Sequence, residues 1–273
     1  MNLNGMLSIL AQTPDPPLDV GELALLLARD EYPSLDVDAY LTELKGMAHE
    51  ARSHQRGSLL QRVKCLCRYL FHELGFHGNQ RNYYDARNSY LNEVLDRRIG
   101  IPISLSAVAM AVGRRAGLEV FGVGLPGHFI VKATRDGEEI LFDPYHGGRR
   151  MTPEKCQALV KQVTGLPFEA DAEALRPVSL ASMATRMLTN LKGVYLRNGD
   201  FPRATRTIER LRQLAPHDLL QRRDLGATLY RAGHTGRAID HLEAYLSASP
   251  QAEDAAEVEQ MLNRAKAAVA LWN

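Results

Sequence analysis

The sequence predicts an α+β domain followed by an all-α helical region. Beyond Gly117 the hydrophobic pattern changes from a helical period of about 3.6 residues to a period of two, which indicates strands after a series of helices. The last third of the chain repeats itself at an offset of 34 residues, which is typical of stacked helical hairpins. We therefore divide the chain into a domain over 1–150, a linker with a docking helix over 151–185, and a helical region over 186–273.

The first domain is predicted to begin with helices that flank a polar loop. Apolar residues recur at helical spacing in several stretches, interrupted by Gly, Pro and Ser. The predicted helices cover residues 18–30, 37–52, 58–74, 91–96 and 102–116. The segment 75–92, GFHGNQRNYYDARNSYLN, has little periodicity. It is either an ordinary solvated loop or a loop that lines a site, and the residues alone leave both alternatives open.

Beyond the helix at 102–116, a hairpin with a two-residue turn is predicted. The strands cover residues 118–124, 128–135 and 138–143. Asp136 and Gly137 have the composition of a tight hairpin turn, which places Arg135 opposite Glu138. A short helix over 153–163 is predicted after the strands.

This register brings a histidine and an aspartate to one face of the hairpin. Ile130 lies opposite Asp143, and His128 is two residues from Ile130, so His128 is the diagonal neighbour of Asp143 at a Cβ separation of roughly 7–8 Å. An imidazole beside a carboxylate is the arrangement of a base with its orienting acid. The opposite face is apolar. The alternatives are a structural hydrogen bond, or two side chains that merely face solvent.

The C-terminal region resembles the tetratricopeptide repeat. Two helix pairs are predicted over about 187–216 and 221–250, with cap helices at about 180–188 and 255–271. Such an array either packs on the first domain or offers a concave surface to a peptide. The offset of 34 aligns these pairs: Leu191 with Leu225, Gly199 with Gly233, Ala204 with Ala238, and Pro216 with Pro250.

Composition excludes several classes of protein. The chain is 45% hydrophobic and 24% charged with a net charge of +1, so it is predicted to be globular and without a general attraction to nucleic acid or acidic membranes. No apolar run approaches the roughly 20 residues of a spanning helix, and the N-terminus lacks a secretory pattern. Three cysteines without a CxxC pair argue against disulfides or a zinc site. We expect a cytoplasmic protein with no metal, no cofactor, and no nucleic-acid or membrane partner.

Long motifs resemble one bacterial family. The runs NYYDARNSYLNEVLDRRIGIPISLSAVAMAVGRRAGL, GVGLPGHFIV and LFDPYHGG, together with the repeats, are similar to the transglutaminase-like branch of the SirB family. The resemblance implies a papain/transglutaminase-like domain followed by a tetratricopeptide-type helical region. It also implies a site formed by a helix N-terminus, His128 in GHF and Asp143 in FDP.

The resemblance also assigns residues around this site. Tyr84, Asp85, Asn88 and Asn92 precede the site helix, and we expect an amide of Asn88 or Asn92 to project toward His128 and donate to a bound carbonyl group. Active transglutaminases begin the helix with a nucleophilic cysteine, but this chain has no cysteine between Cys67 and Cys156.

Two functions fit these features. The first is a regulatory or adaptor protein, a pseudoenzyme whose degenerate domain and repeats bind a protein or peptide through the His128 cleft or the helical surface. The second is a hydrolase or acyltransferase that uses Ser104 with His128 and Asp143. We favour the first, because serine is a weaker nucleophile than cysteine and Ser104 has the position of a helix N-terminal cap. The sequence does not identify a partner, a substrate or an oligomeric state.

Overall fold

The computed structural model describes residues 1–53 and 57–271 and confirms the α+β class. The chain forms two compact units, Met1–Met187 and Leu188–Asn273. Among the described residues, no helix combines the length and the apolar character needed to cross a membrane.

The helices of the first unit follow the predicted order, with one addition at the N-terminus that the sequence analysis did not contain. They are α1 (Leu3–Gln12), α2 (Val20–Ala28), α3 (Val37–Ser53), α4 (Leu59–Cys67), α5 (Leu91–Arg97), α6 (Pro102–Arg115) and α7 (Pro153–Thr164). The predicted helix over 58–74 changes character part-way, because α4 continues as a π-helical segment, Arg68–Glu73.

The strands of the first unit form two sheets. A short parallel pair joins β1 (His77–Gly78) to β2 (Ile99–Gly100). The main sheet is antiparallel in the order β3–β4–β5–β6. Its strands are β3 (Glu119–Leu125), β4 (His128–Arg135), β5 (Glu138–Asp143) and β6 (Arg149–Met151).

The turn between β4 and β5 fixes the register of the sheet. Asp136 has φ 51° and Gly137 has φ 84°, the two positive values of a type I′ turn, whose twist matches that of the strands it joins. Arg135 lies opposite Glu138, as the sequence predicts. His128, the first residue of β4, and Asp143, the last residue of β5, are therefore at the same end of the sheet.

Both faces of the main sheet are covered. On one face the Phe129 ring lies over Gly122, next to Met110 of α6. On the other face Ile130 belongs to an apolar cluster that includes residues of α7, and this cluster also takes in Ala170. The segment after β6 is therefore part of the core of the first unit, and it covers Ile130 on this face of the sheet.

The second unit is an array of helices. They are α8 (Leu180–Arg197), in which the division between the units falls, α9 (Phe201–Leu214), α10 (Leu219–Arg231), α11 (Thr235–Ala248) and α12 (Ala255–Ala270). The turns within the two pairs contain Gly199 and Gly233, with φ of 70° and 84°, values that glycine adopts without steric cost.

One element of the repeat prediction is wrong. The predicted cap helix at about 180–188 is not separate from the first repeat helix, because α8 is a single helix over Leu180–Arg197. The physical reason is that no proline interrupts this segment, and its one glycine, Gly193, lies in the interior of the helix, where it is tolerated.

Close packing between α10 and α11 gives a matched pair of glycine variants. A Cβ at Gly226 would lie 2.7 Å from Cδ2 of Leu242 and 3.2 Å from its backbone nitrogen, whereas a Cβ at Gly193 meets nothing within 4 Å. We expect Gly226→Ala to lower the free energy of unfolding by about 1–3 kcal/mol through overpacking. Gly193→Ala is expected to raise it by about 0.5–1 kcal/mol through helix propensity. Urea denaturation followed by circular dichroism measures both, and equal effects of the two changes would contradict the packing shown here.

Candidate functional site

The structure brings His128 and Asp143 together inside the protein. Nε2 of His128 lies 3.1 Å from Oδ2 of Asp143, so the ring donates to the carboxylate in the tautomer that carries a hydrogen on Nε2. The side chains are 4% and 0% exposed. The alternative that these residues merely face solvent is therefore wrong. Their part in a reaction or in binding stays a prediction.

A second histidine shares the same carboxylate oxygen. His146 lies in a 3-10 turn, Pro144–His146, and its Nδ1 is 2.6 Å from Oδ2 of Asp143. The other oxygen, Oδ1, accepts a hydrogen bond from the backbone N–H of Tyr145 at 3.1 Å. Arg149 approaches Oδ2 to 3.8 Å. His146 is not among the residues predicted for the site, although its place three residues after Asp143, in a run that starts with proline, is compatible with a turn back toward the carboxylate.

These donors decide the charge of Asp143. Burial alone raises the pKa of a carboxyl group, but the hydrogen bonds from His128 and His146 outweigh it and hold the pKa of Asp143 well below its usual range. The site therefore contains a buried carboxylate anion with two imidazoles directed at one oxygen.

Three tyrosines form an aromatic rim, Tyr83, Tyr84 and Tyr145, beside the two histidines. The Tyr145 ring makes edge contacts with His128 at 5.8 Å and with His146 at 5.1 Å between centroids. Tyr83 contacts both of the other tyrosines. Tyr83 and Tyr84 are 37% and 48% exposed, so the rim presents aromatic surface to solvent next to the buried pair.

The polar loop is organised by Asn88. Its Nδ2 donates to the carbonyl groups of Asn82 at 2.8 Å and Tyr83 at 3.2 Å, and its Oδ1 accepts from Nδ2 of Asn79 at 3.1 Å. Asn88 is completely buried. Because both amide hydrogens are engaged, the side chain holds the loop and has none left to donate to a bound carbonyl group.

The other residues assigned in this loop also have described surroundings. Asp85 accepts from the Arg87 side chain and backbone, and the side-chain hydrogen bond from Arg87 is the main reason that the pKa of Asp85 is lowered. Asn92 is buried, and its Oδ1 has no hydrogen-bond partner in the part of the chain that the structure describes. Neither Asn88 nor Asn92 is hydrogen-bonded to His128 over the same residues.

The N-cap position of α6 belongs to Ile101, so the prediction that Ser104 occupies it is wrong; Ser104 is the third helical residue, and its side chain caps the start of the helix from there. Its hydroxyl donates to the carbonyl of Asn88 at 2.6 Å and accepts from the backbone N–H of Ile101 at 3.0 Å. It is 1% exposed. Within residues 1–53 and 57–271, Ser104 makes no hydrogen bond to His128. The geometry thus gives no support to Ser104 as a nucleophile activated by this histidine.

Two of the three cysteines, Cys67 and Cys156, are buried and lack the setting of a nucleophile. Burial raises the pKa of the Cys67 thiol to about 12. Burial also raises the pKa of Cys156 to about 11, with smaller contributions from the charges of Asp143 and Glu154. A thiol with a raised pKa contains very little reactive thiolate at neutral pH.

Comparison with known proteins identifies the first unit and the helical array. A profile of the transglutaminase-like superfamily matches residues 38–189. The chain belongs to this superfamily. A profile of the tetratricopeptide repeat matches residues 191–263. Both matches agree with the fold class predicted from the sequence.

Bacterial and animal proteins are similar to this chain. A UPF0162 protein of Xylella fastidiosa is 37% identical over 246 residues, covering 88% of both proteins. A UPF0162 protein of Pseudomonas aeruginosa is 31% identical over 212 residues, covering 77% of this chain and 76% of the relative. The human F-box only protein 21 is 30% identical over 138 residues, which are 48% of this chain and 21% of that protein.

The role of Asn88 as the centre of the loop can be tested by truncation. Asn88→Ala removes the hydrogen bonds of a buried side chain to the carbonyl groups of Asn82 and Tyr83, and we expect it to lower the free energy of unfolding by about 1–3 kcal/mol, since one such bond contributes about 0.5–1.5 kcal/mol. Asn82→Ala is the matched control, because it removes an exposed side chain and keeps the carbonyl that Asn88 binds. Chemical denaturation measures both, and a neutral Asn88→Ala would contradict this role.

Proposed function

We propose that this chain is a regulatory or adaptor protein whose transglutaminase-like domain binds a peptide or amide group without covalent chemistry, while its repeats bind a protein partner. The observation that carries this proposal is the hydroxyl of Ser104. Its hydrogen bonds to the Asn88 carbonyl and the Ile101 N–H occupy the donor and acceptor sites that an attacking nucleophile would need. The domain is accordingly proposed to be a pseudoenzyme.

The binding cleft is proposed to lie between the aromatic rim and His128. Over the described residues, Nδ1 of His128 makes no hydrogen bond, so this nitrogen is available to a ligand while Nε2 contacts Asp143. The tyrosines of the rim combine a large apolar face with a polar hydroxyl, which suits a peptide with both kinds of surface. A carbonyl or amide group hydrogen-bonded to His128 would then be flanked by aromatic rings.

The helical repeats support the second half of the proposal. Tetratricopeptide-type arrays present extended surfaces that are used to bind other chains. Lys192 of α8 and Asp224 of α10 form an ion pair at 2.9 Å, and Lys192 also donates to Gln221. These polar contacts join α8 to α10 and hold the two helices in a fixed arrangement. A fixed arrangement of helices can present a defined surface to a partner. Membership of the SirB family and a cytoplasmic location are further parts of this proposal.

The alternative function is a hydrolase or acyltransferase. The observation that favours it is the buried pair of His128 and Asp143, which has the geometry of a base with an orienting acid. It requires Ser104 to abandon both backbone partners, or another nucleophile to be supplied. Because breaking these buried hydrogen bonds is costly, we place this function second.

Alanine variants of two serines in α6 test whether Ser104 has a structural or a catalytic role. We expect Ser104→Ala to lower the free energy of unfolding by about 1–3 kcal/mol, because it removes a cap and leaves buried backbone groups unpaired. Ser106→Ala is the matched control: Ser106 is also buried, and its hydroxyl has no partner among the described residues, so its removal should leave stability unchanged or slightly raised.

Labelling with a fluorophosphonate probe completes this test. The proposal predicts no stoichiometric labelling of the wild type. Labelling of the wild type that disappears in Ser104→Ala, with stability little changed, would establish the hydrolase in place of the adaptor.

Peptide selection tests the cleft directly. Peptides are selected from a displayed random library on the wild-type chain, and the affinity of a selected peptide is measured by fluorescence anisotropy. Tyr83→Ala should weaken binding by about tenfold or more, as expected when an aromatic anchor worth at least 1.4 kcal/mol is lost. Tyr40→Phe is the control, because Tyr40 is bonded to Asp96, outside the rim. Equal affinities for both variants would contradict the proposed cleft.

A further inference from the structure

We propose that His128, Asp143 and His146 form a binding site for one divalent first-row transition-metal ion, for which Zn²⁺ and Co²⁺ are suitable probes. This inference departs from the expectation of a metal-free protein. It is independent of the proposed function, because the peptide cleft is argued from the aromatic rim and from the other nitrogen of His128.

The three side chains offer one ligand atom each at a common point. One ring nitrogen each of His128 and His146 and a carboxylate oxygen of Asp143 all lie within 4.8 Å of one another, and the nitrogens that face Asp143 are Nε2 of His128 and Nδ1 of His146. Each imidazole nitrogen is closer still to Oδ2 of Asp143, at 3.1 and 2.6 Å. Ligand atoms about 2.1 Å from a zinc ion are about 3–3.5 Å apart, so binding an ion requires the carboxylate to move slightly away from His146 and the two ring nitrogens, now within 4.8 Å, to lie about 3.5 Å apart.

The donor set has the chemistry of a transition-metal site. Two imidazoles and one carboxylate suit zinc and the neighbouring divalent ions, whereas calcium and magnesium prefer oxygen ligands throughout. A neutral imidazole can carry its hydrogen on either nitrogen. Each ring can therefore move its hydrogen away from Asp143 and present the freed nitrogen to the ion. Three protein ligands leave a fourth position open to water or to a ligand.

The surroundings of the cluster hold it in place and give access from solvent. The Tyr145 N–H fixes Oδ1 of Asp143, which is the kind of outer hydrogen bond that orients a metal-binding carboxylate. His128 is almost fully buried, whereas the His146 side chain is 32% exposed and provides the entry path. Arg149, at 3.8 Å from Asp143, is half exposed and can turn to water when a cation enters.

Isothermal titration with ZnCl₂ and absorption spectroscopy with CoCl₂ test this site on the untagged, chelator-treated full chain. The wild type should bind one Zn²⁺, and Co²⁺ should produce the visible absorption bands of a site with nitrogen and oxygen ligands. His146→Ala and Asp143→Asn should weaken zinc binding by at least about a hundredfold. Losing a residue that only orients a metal ligand already weakens binding by about 10–100-fold, and the loss of a ligand itself should have at least the larger effect. His217→Ala, which removes an exposed histidine of the second unit, should bind like the wild type.

Each outcome of the titration supports or overturns the site. Circular dichroism shows whether His146→Ala is folded, and His128, the Tyr145 N–H and Arg149 still face the carboxylate in this variant. Zinc binding that is absent from the wild type, or equal in the wild type and in a folded His146→Ala, overturns the proposal. Peptide affinity measured on the chelator-treated protein separates this result from the proposed function, because Tyr83→Ala should weaken peptide binding whether or not an ion binds.

Discussion

A carboxylate that is removed from water must be compensated by donors, and the end of the main sheet is arranged around this requirement at Asp143. The backbone N–H of Tyr145 serves one oxygen, and His128 and His146 serve the other. Without these donors together, the fold would carry the cost of an unpaired buried charge, which is several kcal/mol. The register of the hairpin and the turn that follows β5 are both conditions for this arrangement, so the two imidazoles are held by the carboxylate to which they are hydrogen-bonded.

The polar loop and α6 behave as one structural piece because they share hydrogen bonds. The side chain of Asn88 gathers the loop through the carbonyl groups before it, and the carbonyl of Asn88 accepts from Ser104. The start of α6 is thereby tied to the loop that carries Tyr83 and Tyr84. The Ser104 hydroxyl, considered from the sequence as a possible nucleophile, is thus part of the scaffold, and the aromatic rim is supported by the same set of bonds.

Local rules in the sequence account for the parts of the fold that were predicted. The Asp136-Gly137 turn sets the hairpin register, and the glycines at Gly199 and Gly233 set the repeat turns, because in each case a short segment determines its own geometry. Contacts between distant segments could not be predicted in this way. The carbonyl that Ser104 binds belongs to a residue 16 positions earlier. The contact of His146 with Asp143 requires the turn over Pro144–His146 to lead back toward the carboxylate. The direction of this turn could not be predicted from the sequence.

The type I′ turn has a consequence for protein engineering. A tight exposed turn between two strands is usually a convenient place to insert a tag or a reporter, and the exposed turn at Asp136 and Gly137 fits this description. Here the length of the connection determines which side chains face one another at the far end of the hairpin. Re-pairing by a single position would send His128 and Asp143 to opposite faces of the sheet. Insertions at this tip are compatible with an intact site only when Arg135 and Glu138 still pair, so a fusion designer has reason to choose another loop.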